Sequence, residues 1–490
     1  MDIWKGEYVM HCGYVVKVEN LRPHGNADRL QIATFFGNDT CVGLNTVLGE
    51  IGIYFPTDLQ LSVEYCNANN LVRKKDENGN NIGGYMDPDK RNVTAVRLRG
   101  ERSDGLYMPL SSLVFTGVNL DDVNIGDTID VVNGVEICRK YIPRGNKRRG
   151  GGQSEGNRTR KKKVPVAPLF CEHADTEQLA YNLSAFRPGD QIEVTLKMHG
   201  TSQRTGYLPV FKGYKQDFWG RLLSCINTDK KMKPFVAKLY DKAIRNATPI
   251  YDWGYVTGTR RTVLENYEGG YYGDNEFRET HSKVFEGKLH RGETVYYEVC
   301  AFTTNGTPIM SSGKVPKEAQ SQYGETMVFS YGCEPTGKRK LYGQDEDGVF
   351  SIEEEVPQSV MYVYRMTLTT EEGYVVEYTP DQVRYRCEQM GVNAVPVFWT
   401  GYIPEHPGSA EDDTITAGEW IKNKAEQYYD GPDPIGKTHV REGVVVRIIN
   451  RPKFCAYKHK NFLFKQISGI ISDKIADSNE VISEDILSEM

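Results

Sequence analysis

The sequence has no Cys-x-x-Cys pair, although it contains ten cysteines among its 490 residues. Scattered cysteines without this spacing argue against a zinc site and against the disulfide framework of a small secreted domain. No apolar run approaches the length of a membrane span, and residues 1–7 lack the basic-then-apolar pattern of a signal peptide. The sequence therefore predicts a cytoplasmic protein with reduced thiols and no membrane partner.

The chain also lacks an excess of positive charge. It carries 60 Lys and Arg against 66 Asp and Glu, which gives a formal net charge of −6 at pH 7. The molecule as a whole is not a polycation, so any nucleic-acid surface must be a local patch. With 39% hydrophobic and 26% charged residues, the composition is that of a globular chain. Its length predicts roughly two to four domains.

The patterning divides the chain into a strand-rich part and a mixed part. Residues 1–142 show short strand-like runs with Gly and Asn turns and no long helical period, which predicts a small β-barrel or sandwich. Residues 165–465 alternate strand-like and helix-like runs, so we expect an α+β domain whose strand ends meet at one cleft. The tail, 466–490, is short and acidic, and its apolar spacing fits a small helical cap.

Residues 143–164 form a basic boundary between the two parts. A glycine spacer at 150–152 is flanked by Arg144 and by eight basic residues that are candidates for RNA binding: Lys147, Arg148, Arg149, Arg158, Arg160, Lys161, Lys162 and Lys163. Such a segment cannot bury apolar surface, which predicts a flexible linker. Two interpretations stay open. The run is either a solvated, localisation-like linker or an arm that tracks RNA phosphates.

The segment most informative about function is the predicted strand at 191–196 and the four residues that follow it. Ile192, Val194 and Leu196 alternate with polar residues, which predicts a strand. Lys-Met-His-Gly follows at 197–200, where Gly200 permits a tight turn. A lysine fixed at a strand end can act as a nucleophile if burial or neighbouring cations lower its pKa. The alternative is that Lys197 is an ordinary lysine before a turn.

Six segments resemble, in sequence order, the motifs of the covalent nucleotidyltransferases, a superfamily that includes the ligases and mRNA capping enzymes. They correspond to motif I, the arginine motif, and motifs III, IIIa, IV and V: 197–200, 256–261, 295–299, 362–366, 442–447 and 457–461. Each segment is short, but the ordered set is specific. Two positions depart from the superfamily: Tyr297 stands where motif III often has Gly, and Arg365 where motif IIIa often has Asp.

Motifs in the N-terminal part indicate which branch of the superfamily the chain resembles. Residues 21–30 (Leu-Arg-Pro-His-Gly-Asn-Ala-Asp-Arg-Leu) and 103–110 resemble signatures of the tRNA-binding OB-fold domains. DNA ligases and capping enzymes carry an OB domain after motif V, and the tail here is too short for one. An OB domain placed before the nucleotidyltransferase domain resembles the Deinococcus-type RNA ligases. The resemblance implies an N-terminal β-barrel (OB-fold), at 1–142, followed by a nucleotidyltransferase domain, at 165–465.

The resemblance also implies an activity. An ATP-dependent RNA ligase would attach AMP to Lys197, with Gly200 in the ATP-binding motif, and transfer AMP to an RNA 5′-phosphate. Attack by a 3′-hydroxyl would then seal the strand and release AMP. The implied cofactors are ATP and Mg²⁺ or Mn²⁺, and the implied partner is RNA with nicked or paired ends. A DNA/RNA nick-sealing ligase and a GTP-dependent capping guanylyltransferase are alternatives, as is a non-catalytic RNA-binding protein.

Four basic residues are expected to handle phosphates. Lys458 and Lys460 are two apart, so on a strand both point to one face, where they would grip the α-phosphate and lower the pKa of Lys197. The alternative is a cationic edge strand. Arg260 and Arg261 would offer a guanidinium fork to phosphate or ribose. Only one of them can face the cleft in an extended segment, and Arg260 is the preferred candidate.

Five further residues complete the expected ATP site, each with an alternative. His199 would touch the departing pyrophosphate or its metal, or is a turn histidine. Glu298 would accept the ribose hydroxyls or bind metal, or forms a structural ion pair. Glu442 would bind metal or orient Lys197, or is a turn carboxylate. Tyr362 and Tyr364 share a strand face, and either stack on adenine or pack in the core.

Overall fold

The computed structural model describes the following residues: 11–75, 81–142, 165–174, 176–214, 249–264, 266–267, 272, 275–345, 348–408 and 415–469. The fold is mixed α and β, with more strand than helix. The basic linker, 143–164, and tail residues 470–490 lie outside these ranges, while tail residues 466–469 belong to a helical stretch that begins at 462. A search of the described helices finds none with the length and apolarity needed to cross a membrane.

The N-terminal part consists of short strands and one helix. In the described residues these are β1 (Gly13–Lys17), β2 (Arg22–Pro23), β3 (Leu30–Phe35), β4 (Asn38–Gly43), β5 (Ile51–Phe55), β6 (Leu59–Leu61), α1 (Val63–Ala68), β7 (Lys74–Lys75), β8 (Asn81–Gly83), β9 (Ala95–Leu98), β10 (Glu101–Asp104), β11 (Leu106–Pro109), β12 (Thr128–Ile129), β13 (Val131–Val132), β14 (Val135–Glu136) and β15 (Cys138–Lys140).

These strands form several small sheets around an apolar core. A four-stranded sheet runs in the order β11-β5-β1-β12, and β2, β3 and β4 form a three-stranded sheet. Ile53, Phe55, Leu113 and Ile129 belong to the main core cluster. Within the described residues, the paired strands do not close into a single barrel. The strand-rich prediction for residues 1–142 therefore agrees with the structure, and the OB barrel stays a prediction.

The C-terminal part contains the longer elements. Its described strands and helices are β16 (Glu177–Gln178), β17 (Gln191–Leu196), β18 (Thr201–Tyr214), β19 (Pro249–Gly258), α2 (Glu276–Lys283), β20 (Glu293–Ala301), β21 (Gly313–Lys314), α3 (Gln320–Tyr323), β22 (Thr326–Met327), β23 (Lys338–Asp345), β24 (Gly348–Glu355), β25 (Ser359–Thr369), β26 (Val375–Glu377), α4 (Pro380–Met390), β27 (Asn393–Ala394), β28 (Val397–Tyr402), α5 (Ala417–Glu426), β29 (Gly443–Ile448) and β30 (Cys455–Lys460).

Two sheets dominate this part. Sheet A has five strands in the order β16-β30-β29-β17-β28. Sheet B has six, in the order β19-β18-β20-β25-β26 with β27 paired to β25. The alternating apolar residues predicted a strand at 191–196, and the structure has β17 at these residues. This strand lies in the interior of sheet A, between β29 and β28.

Helices cover one face of each sheet and leave the other face for the cleft. Ile192 and Val444 of sheet A pack with Ile421 of α5. Val363 of sheet B packs with Phe277 of α2 and with residues of α4. Helix α5 begins at a capping box between Thr416 and Glu419, and α4 begins at a similar box. The faces opposite the helices are here called the inner faces of the two sheets.

Candidate active site

Lys197 lies in the turn 197–200, which joins the last residue of β17 in sheet A to the first residue of β18 in sheet B. Its N–H donates to the Gly443 carbonyl oxygen at 3.0 Å, which fixes the backbone beside β29. At Gly200 a Cβ atom would lie 2.3 Å from the Val299 carbonyl oxygen. A larger residue therefore cannot fit without displacing the turn. The local sequence holds the lysine where the two sheets meet.

The strand register assembles the inner face of sheet A. Thr195 of β17 lies opposite Val445 of β29, and Val445 lies opposite Lys458 of β30. Lys460 lies opposite Gly443 by the same pairing. Directly opposed residues on neighbouring strands point to one face of the sheet. Lys458 and Lys460 therefore lie on the inner face of sheet A, the same face as Thr195, near the turn 197–200.

Glu442, directly before β29, is a buried carboxylate at the centre of the site, with a side chain 4% exposed. Its Oε1 lies 2.9 Å from Lys197 Nζ and 3.7 Å from Lys460 Nζ. Its Oε2 lies 3.4 Å from His199 Nδ1 and has no hydrogen-bond partner among the described residues. Burial opposes ionisation, but these three neighbours hold the pKa of Glu442 well below its usual range. The ionised carboxylate thus orients two lysines.

Lys458 and Lys460 differ in their protonation although both lie on the inner face. Burial lowers the pKa of Lys458 to about 7, and the charges of Lys460 and Lys197 act in the same direction. Burial also opposes the charge of Lys460, but the carboxylates of Asp58 and Glu442 raise its pKa above the usual value. At neutral pH Lys460 is a fixed cation, whereas Lys458 gains a proton readily when an anion binds nearby.

His199 is held against Glu442 and two aromatic rings. Its ring lies edge-on to Phe329 and Phe464, with centroid separations of 4.5 and 4.8 Å. Its backbone N–H donates to the Tyr331 hydroxyl at 2.7 Å. Burial lowers the pKa of His199, so the imidazole is neutral at physiological pH. The structure places His199 beside the carboxylate that binds Lys197, and its contact with pyrophosphate stays a prediction.

The inner face of sheet B carries a second polar row. Ser202 of β18 lies opposite Glu298 of β20, and Glu298 lies opposite Tyr362 of β25. The Ser202 and Tyr364 hydroxyl oxygens are 3.0 Å apart and share a hydrogen bond. Glu298 is half-buried. Ser202 thus lies on the strand that follows the Lys197 turn, and strand pairing places Glu298 on β20 and the two tyrosines on β25 in the same polar row.

The two tyrosines of β25 have different surroundings. Tyr362 is 9% exposed and belongs to an apolar cluster with Cys300 and Tyr331. Burial raises the pKa of Tyr362 to about 12. Burial also raises the pKa of Tyr364, with the charge of Glu298 acting in the same direction. The ring of Tyr362 packs in the core, whereas Tyr364 stands beside Glu298 and is the better placed of the two for a ligand.

Arg260 and Arg261 follow β19 and are unequal in burial. Arg260 is half-buried and Arg261 is exposed. Burial is the main cause that lowers the pKa of Lys458 and of His173, and the charge of Arg260 adds to both shifts. Arg260 therefore lies near Lys458 of sheet A and near His173, and its preference over Arg261 stays a prediction.

A group of arginines that we did not predict lies further along the strands. Arg204 and Arg447 are nine-tenths buried or more, and Arg365 forms an ion pair with Glu377 through Nε at 3.1 and 3.0 Å. The guanidinium groups of Arg365 and Arg447 lie over the Phe454 ring at 4.7 and 4.9 Å from its centroid. Arg365 and Arg447 each interrupt an apolar strand run, which is a usable signal. Arg204 lies in a polar run and gave none.

Within the described ranges no group of three or more His, Cys, Asp or Glu side chains is placed to hold a metal ion. Mg²⁺ commonly binds through phosphate oxygens and only one or two carboxylates. The buried Oε2 of Glu442, which lies 3.4 Å from His199 Nδ1 without a hydrogen bond, suits such a ligand set, and Glu298 is a second candidate, on sheet B. The eight basic residues predicted to bind RNA, in 143–164, lie outside the described residues.

Comparison with models of protein families and with curated protein sequences finds no match. Among solved structures, the chain is similar to an RNA ligase of Naegleria gruberi. A variant of that ligase with ATP and Mn gives a TM-score of 0.51 at 14% identity, covering 93% of this chain and 98% of that one. Another variant, with AMP and Mn, gives 0.52 at 13% identity and the same coverage. The ligase with PPi gives 0.50 at 14%, covering 92% and 97%.

At these identities the likeness is one of fold. It extends over more than nine-tenths of both chains, so it includes the N-terminal strands as well as the two large sheets. The expectation of a mixed fold like that of a ligase is therefore confirmed at the level of architecture.

Proposed function

We propose that this protein is an ATP-dependent RNA ligase, of the Deinococcus type, which joins a 3′-hydroxyl to a 5′-phosphate through a lysyl-AMP intermediate. One observation carries the proposal: Lys197 Nζ lies 2.9 Å from the ionised Glu442, with Lys460 on the same carboxylate. Nucleotidyl transfer needs a positioned nucleophile and neutralisation of phosphate charge. Similarity of the fold to an RNA ligase supports the assignment.

The first step uses the turn lysine. The amine of Lys197, after giving a proton to solvent, attacks Pα of ATP and forms a P–N bond while the bond from Pα to the oxygen bridging to Pβ breaks and pyrophosphate leaves. A second proton passes from the attacking nitrogen to solvent. Glu442 orients the amine from 2.9 Å. Lys458 and Lys460 neutralise charge that develops on the phosphates, and His199 stands beside Glu442 towards the leaving pyrophosphate.

The remaining steps transfer AMP from Lys197 to the RNA 5′-phosphate and then displace it by the 3′-hydroxyl. We assign Glu298 to the ribose hydroxyls and Arg260 to phosphate or ribose, with Arg261 less favoured because it is exposed. Of the two tyrosines, Tyr364 is assigned to the adenine, because its hydroxyl bonds Ser202 beside Glu298 while Tyr362 packs in the core.

A divalent cation, Mg²⁺ or Mn²⁺, accompanies the triphosphate in this proposal and neutralises phosphate charge when bound. Glu442 and Glu298 are the residues of this chain that would hold it. The burial of Glu442 Oε2, which makes no hydrogen bond to the described residues, supports that role. The presence of ATP and Mn in the similar ligase is consistent with the same requirement.

The parts of the chain take separate roles in the proposal. Residues 1–142 form an OB-like platform for RNA, 143–164 form the basic linker, 165–465 form the nucleotidyltransferase domain, and 466–490 form the acidic tail. All phosphate-handling candidates from Lys197 to Lys460 fall in the third of these. The cysteines that the structure describes are free thiols, which supports a cytoplasmic location.

A ligation assay tests the proposal. An RNA duplex with a labelled 5′-phosphate at a nick is incubated with protein, ATP and Mg²⁺, and we expect an adenylylated 5′ end followed by sealed product. Lys197→Ala should give neither, because it lacks the nucleophile. Supplied with RNA that already carries a 5′-adenylyl group, Lys197→Ala should still seal it, since that substrate bypasses the lysyl step.

The matched control is Lys314→Ala, which removes an exposed lysine of β21 and should seal like the wild type. Parallel reactions with GTP, and with a nicked DNA duplex, address the two enzymatic alternatives. Sealing by Lys197→Ala with ordinary RNA and ATP would refute the assigned nucleophile. Failure of the wild type to seal RNA with ATP would refute the function.

A further inference from the structure

The N-terminal part is docked on the C-terminal end of sheet A. Lys465 donates to Asp104 Oδ2 at 2.6 Å, and both side chains are largely buried. The guanidinium groups of Arg97 and Arg102 lie over the Phe462 ring, at 5.7 and 4.9 Å from its centroid. Phe462 follows β30 by two residues. Strands β9 and β10 thus contact the helical stretch that directly follows β30, which brings nearby N-terminal loops close to the strand that carries Lys458 and Lys460.

One of these loops carries Asp58, between β5 and β6. Its backbone has φ 72°, in the left-handed region that few residues other than glycine adopt. Two backbone hydrogen bonds fix it there: Asp58 N–H donates to Val93 O at 3.1 Å, and Tyr141 N–H donates to Asp58 O at 2.9 Å. Aspartate adopts this region more readily than most other residues, so the turn is compatible with its sequence.

Asp58 meets the active-site lysine. Its Oδ2 lies 4.0 Å from Lys460 Nζ, which also lies 3.7 Å from Glu442 Oε1, so the two carboxylates come from different parts of the chain. Glu442 in turn lies 2.9 Å from Lys197 Nζ. The charges therefore alternate along a row from Lys197 through Glu442 and Lys460 to Asp58. The Asp58 side chain is 60% exposed, so this last residue of the row is in contact with solvent.

We propose that Asp58, which the N-terminal part supplies, is a positioning residue for lysine adenylation. Its carboxylate attracts the Lys460 ammonium group and thereby balances the attraction of Glu442. This inference rests on the proposed function. Without Asp58, Lys460 is drawn only to Glu442, where it competes with Lys197 for the same carboxylate oxygen. With Asp58 present, Lys460 keeps its ammonium group at the phosphate end of the cleft. The N-terminal part then serves the first chemical step as well as RNA binding.

The test measures the rate of Lys197-AMP formation in the full-length protein over a range of ATP concentrations. Asp58→Asn is the informative variant, because Asn tolerates the left-handed backbone and removes only the charge. We expect the maximal rate to fall about two- to five-fold, the range of a partly exposed ion pair. The ATP concentration at half-maximal rate should stay constant or fall, because an anion that repels the triphosphate is gone.

Two further variants separate positioning from folding. Asp58→Gly also accepts a positive φ, so it should lose rate as Asp58→Asn does, with the melting temperature of each within about 2 °C of wild type. Asp121→Asn removes an exposed aspartate of the same part and should change neither rate nor melting. A wild-type rate in Asp58→Asn, or a loss accompanied by a raised half-maximal ATP concentration and lower melting, would overturn the inference. If wild type forms no adduct at all, the proposed function itself fails.

Discussion

Glu442 is a buried carboxylate whose ionisation depends on its neighbours. Isolated, a charge in this setting would cost several kcal/mol. Lys197 and Lys460 lie within 4 Å of one of its oxygens, and His199 lies 3.4 Å from the other. Because the same carboxylate contacts both lysines, its position determines the distance between nucleophile and phosphate-binding cation. The site is therefore an arrangement of charges around one residue.

Lys458→Met should stabilise the protein while impairing ligand binding. The folded-state pKa of Lys458 is about 7, against roughly 10.4 for an unfolded lysine. Between these two pH values the unfolded chain binds more protons at Lys458 than the folded protein does. The free energy of unfolding therefore increases as pH rises, and the destabilisation caused by burying Lys458 becomes smaller. Melting curves from pH 6 to 9.5 should show Lys458→Met melting higher than wild type at pH 7, with the difference narrowing at high pH.

The same variant should bind inorganic pyrophosphate about ten-fold more weakly, the contribution of a charged hydrogen bond. Wild-type affinity should decline as pH rises above 7, because Lys458 then loses its proton, and the variant should lack that decline. Lys453→Met, at an exposed position before β30, is the control and should leave both properties unchanged. A variant that melts below wild type and still binds pyrophosphate normally would contradict a phosphate-binding role.

For single residues, the sequence was informative where a site residue belongs to a short motif with a recognisable order along the chain. Lys197, Glu442 and Lys460 were predicted from short segments, and the structure brings all three into contact. The arginines at 204 and 447 were not predicted as site residues: Arg447 interrupts an apolar strand run and gave a usable signal, whereas Arg204 lies in a polar run and gave none. Nor was Asp58 predicted, since its approach to Lys460 depends on how the N-terminal part docks.

The turn 197–200 is the element on which the site depends. It links the buried strand β17 to β18, the second strand of sheet B, so it determines where both inner faces begin. Gly443 makes the matching contribution from β29: its φ is 145°, and a Cβ there would lie 2.0 Å from the His459 carbonyl oxygen. Gly200 thus allows the lysine turn to lie close to β20, and Gly443 allows β29 to lie close to β30.

Gly200→Ala should damage both stability and chemistry. The added methyl would lie 2.3 Å from the Val299 carbonyl oxygen and 2.7 Å from Cys300 Sγ. We expect a loss of about 1–3 kcal/mol in the free energy of unfolding, as for other overpacked positions. Displacement of Lys197 should slow adenylation by about ten-fold or more. Chemical denaturation and the rate of adduct formation measure the two effects.

Gly43→Ala is the control, because nothing lies within 4 Å of a Cβ at Gly43 and its φ is not in the left-handed region. It should behave like wild type in both assays. Normal adenylation by Gly200→Ala would mean that the turn does not have to hold Lys197 closely.

For the secondary-structure elements, the sequence predicted where a strand lies but not which strands pair with each other. The alternation at 191–196 predicted β17, because apolar residues at every second position mark one buried face. The parallel pairing of β16 with β30 joins residues separated by most of the C-terminal part. Long-range pairing of this kind depends on tertiary packing, which local patterns do not encode.

For the whole molecule, the net charge of −6 contrasts with the basic run at 143–164. A local cationic arm beside an acidic body can bind phosphates without making the protein a polycation. The N-terminal part contacts sheet A through Asp58 and the helical stretch that follows this sheet through Asp104, so under the proposed function RNA binding and adenylation would share one interface.

Neutralising the linker should weaken RNA binding and flatten its dependence on salt. The variant replaces these basic residues with Gln: Lys147, Arg148, Arg149, Arg158, Arg160, Lys161, Lys162 and Lys163. The slope of log affinity against log salt should become shallower by about one for each phosphate that the linker no longer neutralises. Adduct formation with ATP should be unchanged, because the ATP-handling candidates all follow residue 190. An equal salt slope in both proteins would show that the linker does not bind RNA phosphates.

The central claim is that Lys197 becomes covalently adenylylated by ATP. Purified full-length protein is incubated with ATP and Mg²⁺, its intact mass is measured, and the modified peptide is sequenced by mass spectrometry. We expect an added AMP on Lys197, released as ATP when pyrophosphate is supplied, and no adduct in Lys197→Ala. An AMP adduct on another residue, a nucleotide adduct only with GTP, or an unmodified protein under these conditions would contradict it.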